Sequence, residues 1–424
     1  MSTLTAAPPI VTGAHRPTVR WIVGLFAASI LLQRFALPGG IVPVLVVVVF
    51  AAAGYGLHTG LLAFDRRRLS LYLLAAGLTA AAALPQTLLV TSPLISLTSW
   101  GLFMTVWAPA TLHLTHRDRA TLHRTFEGCL RWGLGLAVVA IVMRLVQMVG
   151  LPYADPLAVV PKTLLVQGYV ITYPIEYGSQ IYRSNAWIGL EPSIISLQIG
   201  IAAVLAILLR ANPLALVLLA IGIICTVSGS GVFIVAVALT VMLLMPLRRH
   251  VWPYVAAGAV TVFLAVQTPA GRELASRATE AALAGSSTSL RAIEPYRFLW
   301  PTWSENVWTV LFGAGAGSSQ QLVEATNRAG LLVPSPVKVF FDYGVIAGLA
   351  LCVFLVFCYF GAPSRALAVT LFASSWVLQP GTTTFVLVMQ TLLFVTWWTP
   401  RRRRPLESAP FTKNERSPLL EVSG

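Results

Sequence analysis

Acidic residues are scarce in this chain: Asp and Glu together number 15 among 424 residues, and all charged types make up only 10% of the sequence. An ordinary soluble domain carries about a quarter of such residues. That deficit excludes the soluble classes, and nucleic acid is not an expected partner. Cysteine is scarcer still. Cys129, Cys225, Cys352 and Cys358 all fall inside apolar segments, which leaves no disulfide framework and no zinc site of CxxC type. What is abundant is apolar surface, at 57% hydrophobic residues. A spanning helix needs about 20 of these, so the composition supplies roughly a dozen spans and defines an integral membrane protein.

Apolar windows fall near residues 20–36, 41–62, 69–90, 94–112, 127–149, 190–209, 213–228, 231–247, 251–268, 338–360, 366–379 and 383–399, with a split at Ser228-Gly-Ser-Gly231. The expectation is an all-α, polytopic fold of about 12 transmembrane helices. It forms a single transmembrane domain over 1–400, followed by a cytoplasmic tail over 401–424. With the N-terminus cytoplasmic, the inner segments hold 19 of the 29 basic residues and six of the 15 acids. This is the positive-inside pattern, and it places both termini in the cytosol. The Arg401–Arg404 run then anchors the last span. Arg34 and Arg144, near the outer ends of their spans, read as snorkelling side chains.

Two polar stretches, 150–189 and 269–337, are too long to be turns and lie outside. The first is rich in Tyr, Pro and Gly and reads as irregular or partly extended. The second contains helix-like runs at 272–284 and 319–328, the latter with a Ser N-cap and Gly330 past its end. All six histidines lie on the inner side and the outer acids are scattered, so neither a Ser-His-Asp arrangement nor a carboxylate cage is expected there. No metal and no cofactor is expected. The outer face offers arginine beside aromatics instead: Tyr182-Arg183, and Arg291 and Arg297 around Glu294 and Tyr296. Guanidinium forks fit phosphate oxygens and aromatic planes suit sugar rings, which points to a phosphorylated, sugar-bearing lipid. The bland alternative is that these arginines bind lipid headgroups or pair with Glu294 and Glu305. Glu191-Pro192-Ser193 enters a span at the bilayer lip, where partial desolvation raises a carboxyl towards the range of a general base. Equally, Glu191 and Ser193 could cap that helix, with Pro192 in its first turn. Gly313-Ala-Gly315-Ala-Gly317 lacks the preceding strand of a dinucleotide fingerprint and reads as a close backbone approach to a ligand or a helix.

In order, the chain presents Arg183-x6-Leu-Glu191-Pro192-Ser193, then Ser228-Gly-Ser-Gly231, a long loop with Arg291 and Arg297, Leu311-Phe-Gly313-Ala-Gly315-Ala-Gly317, and Phe341-Asp-Tyr343-Gly344-Val-Ile-Ala-Gly348. This order, over about residues 180–360, resembles the O-antigen polymerase and O-antigen ligase superfamily of bacterial envelope glycosyltransferases, exopolysaccharide polymerases included. The resemblance implies a GT-C-like helical fold in the cytoplasmic membrane and an undecaprenyl-diphosphate-linked glycan as donor. Reaction would occur on the outer face without a metal, with the bilayer and other polysaccharide assembly proteins as partners. Carried over, Arg183, Arg291 and Arg297 would hold the diphosphate, with Tyr182 and Tyr296 beside them. Glu191 is the first candidate base and Glu294 the second. Where ligases carry a histidine near the end of the second loop, this chain has Val333-Pro-Ser-Pro336, which favours a polymerase. The rivals are a ligase moving a finished glycan to a lipid or protein acceptor, a polysaccharide or lipid transporter, and an inert scaffold of an export complex.

Overall fold

A computed structural model describes residues 14–399 apart from 41, 91–92, 176–178, 246–247, 268–288, 327–330 and 379–383. The expected helix at 272–284 and the tail 401–424 lie outside the described residues. The helices are α1 (Arg16–Leu31), α2 (Val44–His58), α3 (Arg66–Ala81), α4 (Ala83–Leu89), α5 (Leu97–Trp107), α6 (Arg119–Met148), α7 (Pro192–Leu209), α8 (Pro213–Thr226), α9 (Gly229–Leu243) and α10 (Arg248–Val266). After them come α11 (Ser289–Ala292), α12 (Glu294–Ser304), α13 (Val307–Phe312), α14 (Ser318–Ala325), α15 (Ser335–Tyr359), α16 (Arg365–Ala373) and α17 (Phe385–Phe394). Four helical stretches, Arg66–Leu89, Arg119–Met148, Pro192–Leu209 and Ser335–Tyr359, are long and apolar enough to cross a membrane. The all-α expectation needs one amendment. Leu62–Phe64 (β1) and Leu112–Leu114 (β2) form an antiparallel pair in the register Leu62 to Leu114.

The bundle is built around α7. A helix that is apolar on every side has no face to offer water and belongs inside, and every residue from Ile194 to Leu209 is buried. It packs among α6, α8 and α9. Gly133 and Gly231 are points of close approach, where an added Cβ would strike Ala202 and the Ser196 backbone. In lipid, where apolar burial gives helices little reason to associate, such small-residue contacts and buried hydrogen bonds hold the bundle. Leu73, Leu74, Leu84, Leu88, Val142, Leu145, Leu349 and Val353 are exposed on α3, α4, α6 and α15. That is far more apolar surface than water tolerates.

Connecting segments gather at two ends of the bundle. At one, β1 pairs β2, the His15 and His116 rings stack at 3.7 Å, and Arg68 donates to the Thr396 and Thr399 carbonyls. Asp65 caps α3 and receives the Arg68 Nε–H at 3.1 Å. At the other, Phe35 bridges Leu165 and Gly40 sits against Gln167. There too, the Leu94 and Ser96 amides donate to the Ala314 and Ala316 carbonyls.

Candidate functional site

The segment 182–191 is tied to the bundle by its own short polar side chains. Gln147, one residue before the end of α6, accepts from the Tyr182 amide at 2.6 Å and donates to its carbonyl at 3.3 Å. Ser184 donates to the Ala140 carbonyl. Ala186 and Trp187 both have positive φ, a costly backbone for non-glycine residues, and Ser184 and Asn185 stabilise it by accepting from their amides. The Trp187 carbonyl accepts from Arg34 Nη1, whose guanidinium makes a two-pronged pair with Asp155 at 2.7 and 2.6 Å. Arg34 is 1% exposed. The snorkelling expectation is therefore wrong for Arg34: it reaches inward to close the loop, because a carboxylate 121 residues away in sequence completes the pair. Arg34 holds the Asp155 carboxyl below its usual range, against the opposing pull of burial.

Arg183 lies half-buried, its guanidinium over the Tyr173 ring at 5.7 Å. The Tyr182 ring leans on Tyr153. Glu191 occupies the N-cap position of α7 with extended backbone, yet its carboxylate makes no cap hydrogen bond. It accepts instead from Ser193 Oγ at 2.9 Å, and Pro192 removes one N–H that would need a cap. Close by, burial and the Glu191 charge push the Tyr169 hydroxyl up, opposed by a hydrogen bond with Thr384. Sequence reasoning had no signal for Thr384, which is brought in by tertiary packing from the far end of the chain.

Glu294, Tyr296 and Arg297 stand apart from these, on amphipathic α12. Arg297 is 73% exposed on its side chain and reaches Glu294 at 3.7 Å, the bland pairing weighed in the sequence. With Tyr296, Trp300 and Pro301 it lines an open groove of about 460 Å³. Burial raises the Tyr296 hydroxyl. Arg291 lies on α11, and its side chain is outside the described part. The first group rests on α1, α6 and α8, the second on α13 and α15. These contacts make two half-sites rather than one constellation.

The glycine run proves to be a close approach to a helix. Gly344, at φ +68, breaks α15, and the Phe341 and Asp342 carbonyls freed by the break accept from the Ala314 and Gly315 amides. Side chains at Gly313 or Gly344 would strike the opposing backbone. Helix α14 begins at Ser318 with Gly317 as N-cap and no side-chain cap of its own. The expected Ser N-cap is replaced by Asp342, which is fully buried and accepts from the Gly317 and Ser319 amides at 3.0 and 2.9 Å. Lys338 Nζ balances its charge at 3.1 Å. Among the described residues no three His, Cys, Asp or Glu side chains gather as metal ligands.

A helical protein with lipid-suited flanks and four helical stretches long and apolar enough to cross a bilayer is an integral membrane protein. The family model described as WcaD colanic acid polymerase matches residues 22–391, so the chain belongs to that family. Membership supports a role as a glycosyltransferase-type, repeat-unit polymerase in polysaccharide synthesis, acting on a lipid-linked substrate in a membrane. No curated protein matches the chain.

Proposed function

We propose that this protein joins lipid-diphosphate-linked oligosaccharide repeat units, of the exopolysaccharide kind that the family's name describes, on the outer face of the bacterial cytoplasmic membrane. The observation that carries the reading is the family match over 22–391. The gathering of loop segments at two ends of the bundle supports a chain that crosses the membrane twelve times with both termini inside: segments assigned to one side by charge touch others assigned to that side.

In the reaction an acceptor hydroxyl attacks the anomeric carbon of the donor. The bond from that carbon to phosphate oxygen breaks, and the lipid diphosphate leaves with the electron pair. Glu191 takes the hydroxyl proton, and Glu294 is the second candidate. Arg183, Arg291 and Arg297 face the growing negative charge, with Tyr182 and Tyr296 against the sugars. A positioned donor of this sort is worth on the order of 3 kcal/mol, or about a hundredfold in rate. No metal is invoked, since the guanidiniums supply the positive charge.

The test is reconstitution: purified protein in liposomes with lipid-diphosphate-linked repeat units and a chelator present. A ladder of lengthening lipid-linked chains is expected, with Glu191→Gln reduced at least a hundredfold. Emptying of the carrier onto a separate acceptor would mean ligation, and movement of substrate without a ladder would mean transport. Full turnover by Glu191→Gln would place the base elsewhere.

A further inference from the structure

Arg144 lies one turn from the C-terminal end of α6 and is only 6% exposed. A guanidinium carries five donor N–H groups and stays charged at any working pH. Here Nη2 donates to the Cys225 carbonyl at 2.9 Å, while Nε and Nη1 have no partner among the described residues. The contrast with the other deeply buried arginines is direct. Arg34 meets Asp155 and Arg68 meets Asp65, as a charge out of water requires. Among the described residues Arg144 faces a carbonyl and no carboxylate.

The Cys225 carbonyl also accepts from the Ser184 amide at 3.1 Å, so Arg144 and the residue after Arg183 share one acceptor. Two residues past Cys225, Val227 turns the chain in the left-handed region, and Ser228 caps α9, a helix of 15 residues. A helix N-terminus favours negative charge. The Ser228-Gly-Ser-Gly231 motif, which the proposed chemistry leaves unused, is thus the turn beside a buried, incompletely partnered cation.

We infer that Arg144, between the Tyr182–Ser184 segment and the start of α9, is a binding site for a diphosphate-class anion. The inference rests on the proposed polymerase reading, in which that anion is the leaving group of the donor, and it adds a buried cation behind Arg183. A negative group entering there meets a guanidinium that has no carboxylate partner among the described residues.

The experiment is binding, independent of turnover: full-length protein in neutral detergent, titrated with inorganic diphosphate and followed by its unfolding temperature. Saturable stabilisation is expected for the unmodified protein and for Arg124→Gln, an exposed position on α6. Arg144→Gln should weaken the apparent affinity at least tenfold. Equal affinity in Arg144→Gln, or no response in the unmodified protein up to millimolar diphosphate, defeats the inference. If Arg144→Gln does not fold, Arg144→Lys decides. Its ammonium keeps the charge but lacks the planar fork that grips phosphate oxygens two at a time, so tenfold weakening supports the site and unchanged affinity refutes it. Phosphatidylglycerol in the micelles should leave the response intact; if it abolishes the response, the site belongs to a lipid headgroup. Diphosphate binding lost in Arg144→Gln, alongside a protein that makes no polymer, sinks the polymerase reading and keeps the site. Polymer made equally by both proteins with equal binding does the reverse.

Discussion

The two long connections, 150–189 and the described part of 269–337, are fastened to the same helical bundle by different chemistry. The first is held by side chains: the Arg34–Asp155 pair, the Gln147 clamp on Tyr182, and Ser184 on α6. The second is held mainly by backbone, since the amides of Ala314, Gly315, Gly317 and Ser319 all end on the broken segment of α15 at Phe341 and Asp342. A loop fastened by a few side chains can be released by changing one of them. A loop fastened by backbone needs a chain shape that few residues allow, and it resists most substitutions except at its glycines and its one charged anchor.

The sharpest way to break the second fastening is Asp342→Ala. It strips two amides of their acceptor and leaves the Lys338 ammonium, 13% exposed, without its carboxylate. Loss of one member of a buried pair costs about 3–5 kcal/mol. Thermal unfolding in detergent should show it as the largest drop of the series, with new proteolysis within 289–334. In the first loop, Arg34→Gln should cost on the order of 3 kcal/mol, with cleavage appearing within 150–175 and 289–334 still protected. The same pair gives a pH signature. The Asp155 carboxyl is held below its ordinary 3.8, so its contribution is complete above about that pH and fades as the pH falls through the lower folded value. Acid should therefore loosen the first loop in the unmodified protein and change little further in Arg34→Gln.

Paired glycine substitutions sharpen the contrast at smaller cost. Gly344→Ala forces a left-handed backbone on alanine and drives its Cβ into the Leu311 carbonyl, while Gly168→Ala, also at positive φ, meets open space. Strain of this order is about 1–3 kcal/mol, so Gly344→Ala should fall at the top of that range and Gly168→Ala at the bottom, read again by unfolding temperature. Equal shifts would mean that the second loop is not fastened through its backbone.

Much of this was legible in the residues, and the failures share a cause. Helix positions follow from runs of apolar residues whatever lies around them, so each apolar window contains helix, and the break at Ser228 falls between α8 and α9. The glycine run announced a close approach because only a missing Cβ permits one. Arg34 and Arg144 were misread as snorkelling because an arginine near a helix end looks alike whether it turns out to lipid headgroups or inward. Asp155 stands 121 positions from Arg34, and nothing local marks the pairing. Asp342 was one scattered acid for the same reason: its role as a cap for α14 exists only once α15 breaks beside the glycine run.

Arg297 gives the smallest effect on stability and the clearest on function. Its side chain is 73% exposed and its partner Glu294 lies at 3.7 Å on the same helix, a pair that contributes about 0–1 kcal/mol when exposed to water. Arg297→Gln should thus leave the unfolding temperature and both loops' protease patterns unchanged. On the proposed reading Arg297 contacts substrate from the groove it lines with Tyr296 and Trp300, so polymer yield in the liposome assay should fall about a hundredfold. An unchanged yield would leave the backbone-fastened loop a structural lid and put the cationic chemistry wholly on the loop that side chains hold.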